Sequence, residues 1–295
     1  MRAGPSADFL AHLRTGPTTL ARCWAVTRGD GVQYGFTDHD RDLAFDGITF
    51  RADTGLTALA VQQSTGLSVD NSEAMGALSD AAIREEDIEA GRFDGAEICA
   101  WLVNWADPAL RWLQFRGSLG EITRGGGAFR AELRGLTEAL NRPLGRVYQK
   151  PCTAVLGDAA CGFDLGTPGY SVEVEVAEVD GAQVFRWDAL PGFEAGWFTR
   201  GRLTVVSGAA AGLWGTVKRD RTQAGRSVEL WEPVRGAVSP ADMVRLEAGC
   251  DKRMETCRLK FSNFINFQGF PDIPGEDWMV AVPKQNGVNS GGSRR

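Results

Sequence analysis

The sequence predicts a mainly β protein, built of barrel or sandwich domains with a few short helices, and two observations carry that expectation. Glycine is abundant, at 37 of 295 residues, while lysine is scarce, which suits a turn-rich chain of strands better than helices. Short segments of alternating apolar and polar residues recur along the chain, most of them bounded by Gly, Pro or Asp. The length corresponds to about two domains of roughly 150 residues each.

The opening element reads as a short amphipathic helix with Ser6 as cap and Phe9, Leu10 and Leu13 on one face. A strand follows, with Leu20, Arg22, Trp24 and Val26 on one side, a turn at 29–31 and a return at 32–36. Asp46-Gly47 before 48–50 is another hairpin signal. A helix capped by Ser79 is expected to run through Ile83 and Ile88 towards Gly91, before strands at 97–104, 112–124 and 128–134. Residues 137–141 suit a short helix stopped by Pro143.

The second half reads as a separate small β unit. Residues 171–179 begin with strict alternation of valine and polar side chains, and further strands fall at 183–187, 202–207, 213–218 and 227–231. From Cys250 onward periodicity is lost. The expected organisation is a β-rich domain at 1–149, a cysteine-bearing domain formed by 150–165 and 236–282, an inserted small β-barrel at 166–235, and a disordered tail at 283–295.

Composition narrows the function. The net charge is -6 and no basic stripe is visible, which argues against direct sequence-specific nucleic-acid binding. Apolar runs are too short to span a bilayer and the N-terminus lacks an apolar signal core, so a soluble, cytosolically made protein with no membrane anchor is expected. Two histidines, His12 and His39, leave little room for histidine catalysis. No G-x-S-x-G, H-E-x-x-H or G-x-x-x-x-G-K-[ST] motif is present. His39 lies between Asp38 and Asp40, but neighbours on a strand point to opposite sides, so a turn held by side-chain hydrogen bonds is the better reading. The acidic set Glu85, Glu86, Asp87 and Glu89 reads as a solvated helix face, and Gly125-Gly126-Gly127 as a hairpin loop.

The chemistry-bearing feature is cysteine. Cys152 and Cys161 have eight residues between them, Cys250 and Cys257 six, and the two pairs are separated by 88 residues that the β unit mostly fills. If the ends of that insertion lie close together, both pairs meet at its base. Four thiolates so gathered suit zinc or an iron–sulfur cluster. Neither pair has the short C-x₂₋₄-C knuckle usual for structural zinc, and the wider loops lean towards a [4Fe–4S] cube. Buried free thiols are the plain alternative, and a disulfide is disfavoured in a reducing compartment. Cys23 and Cys99 read as core packing.

At these residues the chain resembles the hub, or tail-tip, proteins of gene transfer agents and lambda-like long-tailed phages. The resemblance rests on GFTDHDRDLAFDGITF (35–50), DIEAGRFDGAEI (87–98), WLVNWADP (101–108), GSLGEI (117–122), AELRGL (131–136), KPCTAVLGDAACG from Lys150, and SNFINFQGFPDIPGED (262–277), in order from about residue 5 to 283. It implies a non-enzymatic homotrimer located in the tail baseplate of a phage or gene transfer agent particle. Such a hub joins the distal tail protein ring to a central baseplate or fibre protein of the megatron-like kind, with a tail peptidase as a further candidate partner. It also implies that Cys152, Cys161, Cys250 and Cys257 hold a [4Fe–4S] cluster of structural role, zinc being the alternative. A redox or cell-wall-degrading enzyme of the tail tip is the alternative function. The aromatic run Phe261, Phe264, Phe267, Phe270 and Trp278 has two readings, closure of the cluster pocket or an oligomer contact; Phe264 and Phe267 are expected to close the pocket, with Trp278 left open.

Overall fold

A computed structural model describes residues 4–52, 57–58, 71–77, 83–125, 128–135, 145–223 and 225–273. The chain divides into two compact units, Met1–Pro143 and Leu144–Arg295, and both are built mainly of strands.

The first unit opens with helix α1 (Ala7–Leu13), where the Ser6 hydroxyl accepts from the Phe9 amide at 3.2 Å and Phe9 is fully buried. Nine strands follow: β1 (Leu20–Thr27), β2 (Gln33–Thr37), β3 (Leu43–Phe45), β4 (Ile48–Arg51), β5 (Thr57–Ala58), β6 (Asn71–Ala77), β7 (Glu97–Asn104), β8 (Arg111–Gly125) and β9 (Ala128–Gly135). They form one sheet in the order β3-β4-β2-β1-β7-β8-β9-β6-β5, antiparallel except for β2 against β4. The expected strands at 97–104, 112–124 and 128–134 are all present within a residue of their ends.

Strand β1 is buried on both faces because apolar residues occupy both of its alternating positions. Trp24 and Val26 join a core with Phe36, Ile98, Phe115 and Leu133, while Ala21, Cys23 and Ala25 join a second with Phe45, Phe50 and Val103. Arg22, grouped with Trp24 in the sequence reading, is exposed at its outer end.

Helix α2 (Glu85–Glu89) is shorter than expected. Ile83 is buried in the core ahead of it, Arg84 stands at the N-cap, and Ser79 lies outside the described residues, as does the expected helix at 137–141. The acidic face is not wholly solvated. Asp87 takes Arg28 at 3.2 Å and Arg92 at 3.1 Å, and the Arg28 guanidinium, 5% exposed, also reaches Asp30 and Tyr34. A nearly buried cation needs such partners.

The second unit holds strands β10 (Ser171–Glu175), β11 (Glu178–Asp180), β12 (Val184–Trp187), β13 (Arg202–Val205), β14 (Trp214–Arg221), β15 (Arg226–Leu230) and β16 (Met243–Glu247), in the order β10-β16-β13-β14-β15-β12-β11. The two edge strands are consecutive in sequence. The single strand expected at 171–179 breaks at Val176, which is buried and exchanges hydrogen bonds with Asp242 and Ala241. The sheet therefore curls through most of a barrel around Phe185, Phe198, Leu203, Val217, Leu230 and Leu246. Strand β16 belongs to this sheet, so the barrel extends past residue 235, where the sequence reading ended it.

Inside the barrel, Asp220 and Arg226 are 0% and 2% exposed. They pair at 2.6 Å, while Arg226 donates to the Phe193 and Glu194 carbonyls and Asp220 accepts from the Phe198 amide. Below the barrel, helix α3 (Met254–Leu259) and a 3-10 turn (Phe264–Asn266) complete the unit.

Candidate metal centre

The antiparallel ladder of β10 and β16 brings the two ends of the inserted barrel together. Ser171 faces Glu247, and the Ala248 amide continues the pairing by donating to the Tyr170 carbonyl at 2.7 Å. Cys161 precedes this ladder and Cys250 follows it. All four sequence-predicted cysteines, Cys152, Cys161, Cys250 and Cys257, line one cavity, each half-buried and none in a disulfide.

Main-chain and side-chain amide hydrogen bonds hold the cysteine-bearing loops in place. The Cys152 amide donates to the Lys252 carbonyl at 2.8 Å, and the Gln268 amide lies 3.4 Å from Cys152 Sγ. Asn263 Nδ2 donates to the Cys161 carbonyl at 2.7 Å and lies 3.6 Å from Cys161 Sγ. The Asp158 carboxylate accepts from the Cys161 amide at 2.6 Å and the Val155 amide at 2.8 Å, fixing the loop between the first two cysteines. Those amides, Cys161 first, hold its carboxyl below the ordinary carboxylate range. Lys252 has a φ of 67°, in the left-handed region, which turns the chain from Cys250 into helix α3 with Cys257, and its ammonium reaches the Ala154 carbonyl.

The electrostatics belong to a group of thiols. Burial pushes the Cys257 thiol up to about 11, with further contributions from Cys250, Cys152 and Cys161. Burial also raises Cys250, against the opposing effect of the Lys252 amide and charge. In its protonated form Cys257 Sγ donates to the Asn263 carbonyl at 3.3 Å. A bound cation reverses this balance, because it stabilises thiolates that otherwise repel one another.

The donor set is four thiols from two chain segments. Among the described residues, no group of three or more His, Cys, Asp or Glu side chains is drawn together to hold one metal ion. A single zinc needs thiolates about 2.3 Å from one point, whereas a four-iron cube takes each thiolate at a separate iron and spreads them wider. Lys252, in the cavity wall, is the cation whose charge acts on Cys250.

Aromatic closure falls to a different residue from those expected. Phe261, 4% exposed, lines the cavity and packs against Phe163 and Tyr170. Phe264 is 50% exposed, and both it and Phe267 are absent from the cavity wall; Trp278 lies outside the described residues. The sequence reading missed the amides of Asn263, Asn266 and Gln268. The signal for the first two was a pair of asparagines three residues apart after Cys257, with Asn266 Nδ2 donating to Asn263 Oδ1 at 2.8 Å, whereas Gln268 acts through its main-chain amide, which no residue type marks.

Residues set aside earlier behave differently. Cys23 is fully buried, while Cys99 is only half-buried beside Glu97. His39 sits in a turn, its amide donating to Thr37 Oγ1 and its Nδ1 accepting from the Arg41 amide at 3.0 Å. His12 Nε2 lies against Thr19.

Comparison with known proteins places this geometry in context. Residues 6–164 match the family described as baseplate hub protein, N-terminal attachment domain, and residues 196–277 match the family described as phage conserved hypothetical protein BR0599. A chain from a solved structure titled "Virion of native gene transfer agent (GTA) particle" is 58% identical, covering 98% of this chain and 99% of that one, with a TM-score of 0.91. No curated protein matches.

Proposed function

The chain belongs to the baseplate hub family and is a structural component of a phage-like tail, and we propose that it works there as a non-enzymatic trimeric adaptor carrying a [4Fe–4S] cluster on Cys152, Cys161, Cys250 and Cys257. The adaptor joins the distal tail ring to the central baseplate or fibre protein. The observation that carries the cluster is the single cavity lined by all four cysteines at the base of the barrel. The cluster supplies a cross-link between segments distant in sequence, and binding it is folding free energy. Amides at Cys152 and Cys161, and the Lys252 cation near Cys250, position the ligands and offset their charge.

The adaptor role is tested by native mass spectrometry of the protein mixed with its distal tail ring protein. A three-chain complex on the ring is expected; a single chain bound, or none, contradicts it.

A further inference from the structure

We propose that the outer face of strands β13, β14 and β15 is a binding site for a neutral glycan, with Trp214 and Trp231 as its stacking platforms. Large apolar side chains on a polar sheet face are expected to have a reason for being there. Trp214 is 57% exposed and Trp231 61%. Burial alternates along these strands, with Leu203, Val217, Val228 and Leu230 inward, so both indoles project outward.

The ladder fixes their spacing. Trp214 faces Thr204, and the Trp231 amide donates to the Thr216 carbonyl at 3.0 Å, so Trp231, directly after β15, sits one diagonal step from Trp214. Diagonal neighbours lie roughly 7 Å apart, which presents two rings to one ligand. Each indole is steadied by a cation across the ladder. The Arg202 guanidinium lies 5.5 Å from the Trp214 ring and the Lys218 ammonium 5.6 Å from the Trp231 ring.

The surroundings select the ligand class. Between and beside the indoles stand Thr204, Thr216 and Glu229, which offer hydroxyl and carboxylate partners rather than aliphatic surface. Val206 is the exposed aliphatic residue at the margin, following β13. A protein-binding patch needs a contiguous apolar core, and this face lacks one. The cations are dispersed among carboxylates: Lys218 at 2.6 Å and Arg219 at 3.5 Å share Glu229, and Arg202 at 3.6 Å and Arg245 at 3.3 Å share Glu247. Among the described residues, no cluster of unpaired cations converges between the two indoles, as a polyphosphate or an acidic surface would require; each cation is drawn to a carboxylate beside it. A pyranose offers what remains, an apolar C–H face for an indole and hydroxyls around its rim for the polar neighbours. This reading is independent of the cysteine centre.

The test is tryptophan fluorescence and calorimetric titration of the full-length protein with hexamers of N-acetylglucosamine, cellulose and amylose, up to about 10 mM, where even a Kd of about 1 mM gives near saturation. Binding of at least one hexamer is expected. It should weaken by about tenfold in Trp214→Ala and in Trp231→Ala, be largely retained in Trp231→Phe, and be unchanged in Trp105→Ala, the exposed tryptophan of the first unit. Absence of binding to all three hexamers overturns the proposal, and so does binding that survives both alanine substitutions. Loss of tail-protein association in the two variants without glycan binding also overturns it, and makes the face a protein contact.

Discussion

The Cys152 amide donates to the Lys252 carbonyl at 2.8 Å, a main-chain bond that spans the whole inserted barrel and joins the two segments that carry the cysteines. The closure this bond reflects is made by the barrel itself, through the β10–β16 ladder. The fold brings the cysteines to one cavity, and a metal centre there would add its binding free energy to that of the barrel closure.

Replacing a ligand should differ in kind from replacing a core cysteine. Cys250→Ser and Cys257→Ser should lose bound metal and much of the soluble protein. Cys23→Ser, fully buried with Sγ 3.5 Å from Thr37 Oγ1, should cost about 1–3 kcal/mol and keep the metal. Metal analysis alongside urea unfolding checks both, and similar behaviour of all three variants would contradict the ligand assignment.

Asn263 touches two of the four ligand segments, donating to the Cys161 carbonyl and accepting from Cys257. Asn263→Leu should lower stability by about 1–3 kcal/mol, because the Cys161 carbonyl loses its partner. In metal-loaded protein it should also shift the reduction potential, since the amide lies 3.6 Å from Cys161 Sγ. Voltammetry separates this from a purely structural loss.

The buried Asp220–Arg226 pair should be intolerant of one-sided change. Asp220→Ala or Arg226→Leu leaves a charge in the barrel interior, at about 3–5 kcal/mol. Chemical denaturation followed by the barrel tryptophans measures this, and the double substitution should recover part of the loss.

A side chain at Gly249 has no room, because its Cβ would overlap the Thr199 carbonyl. Gly249→Ala should cost about 3 kcal/mol or more and displace the adjacent Cys250, lowering metal occupancy together with stability. Gly145→Ala, where a Cβ meets nothing, is the control.

Alkaline pH should destabilise the metal-free chain. Burial raises both Cys23 and Cys99 to about 11, from an ordinary 9.0. The folded state therefore favours the protonated thiols. Their stabilising contribution is complete below about pH 9 and is lost as pH rises towards about 11. Urea midpoints measured across that range should fall, and the double variant Cys23→Ala, Cys99→Ala should show a shallower fall.

Much of this fold was legible in the sequence where alternation was long or turns were explicit, as in β7, β8 and β9 and the helix capped by Ser6. Strand β16 escaped because its alternation rests on only Val244 and Leu246 between a proline-bearing turn and Cys250. Helix α3 escaped because it buries no side chain and so carries no apolar stripe. At the cysteine cavity, the grouping of the four cysteines was legible from residue type and order, but the closing ring was not. Phe261 is held inward by Phe163 and Tyr170, contacts made across the chain that spacing from Cys257 does not encode.

Iron, zinc and acid-labile sulfide analysis of anaerobically purified protein, read with its visible spectrum, addresses the metal centre most directly. About four irons and four sulfides per chain, with broad absorption near 400 nm, is the expected result. One zinc without sulfide, or no metal with the four thiols free, would contradict the cluster on Cys152, Cys161, Cys250 and Cys257.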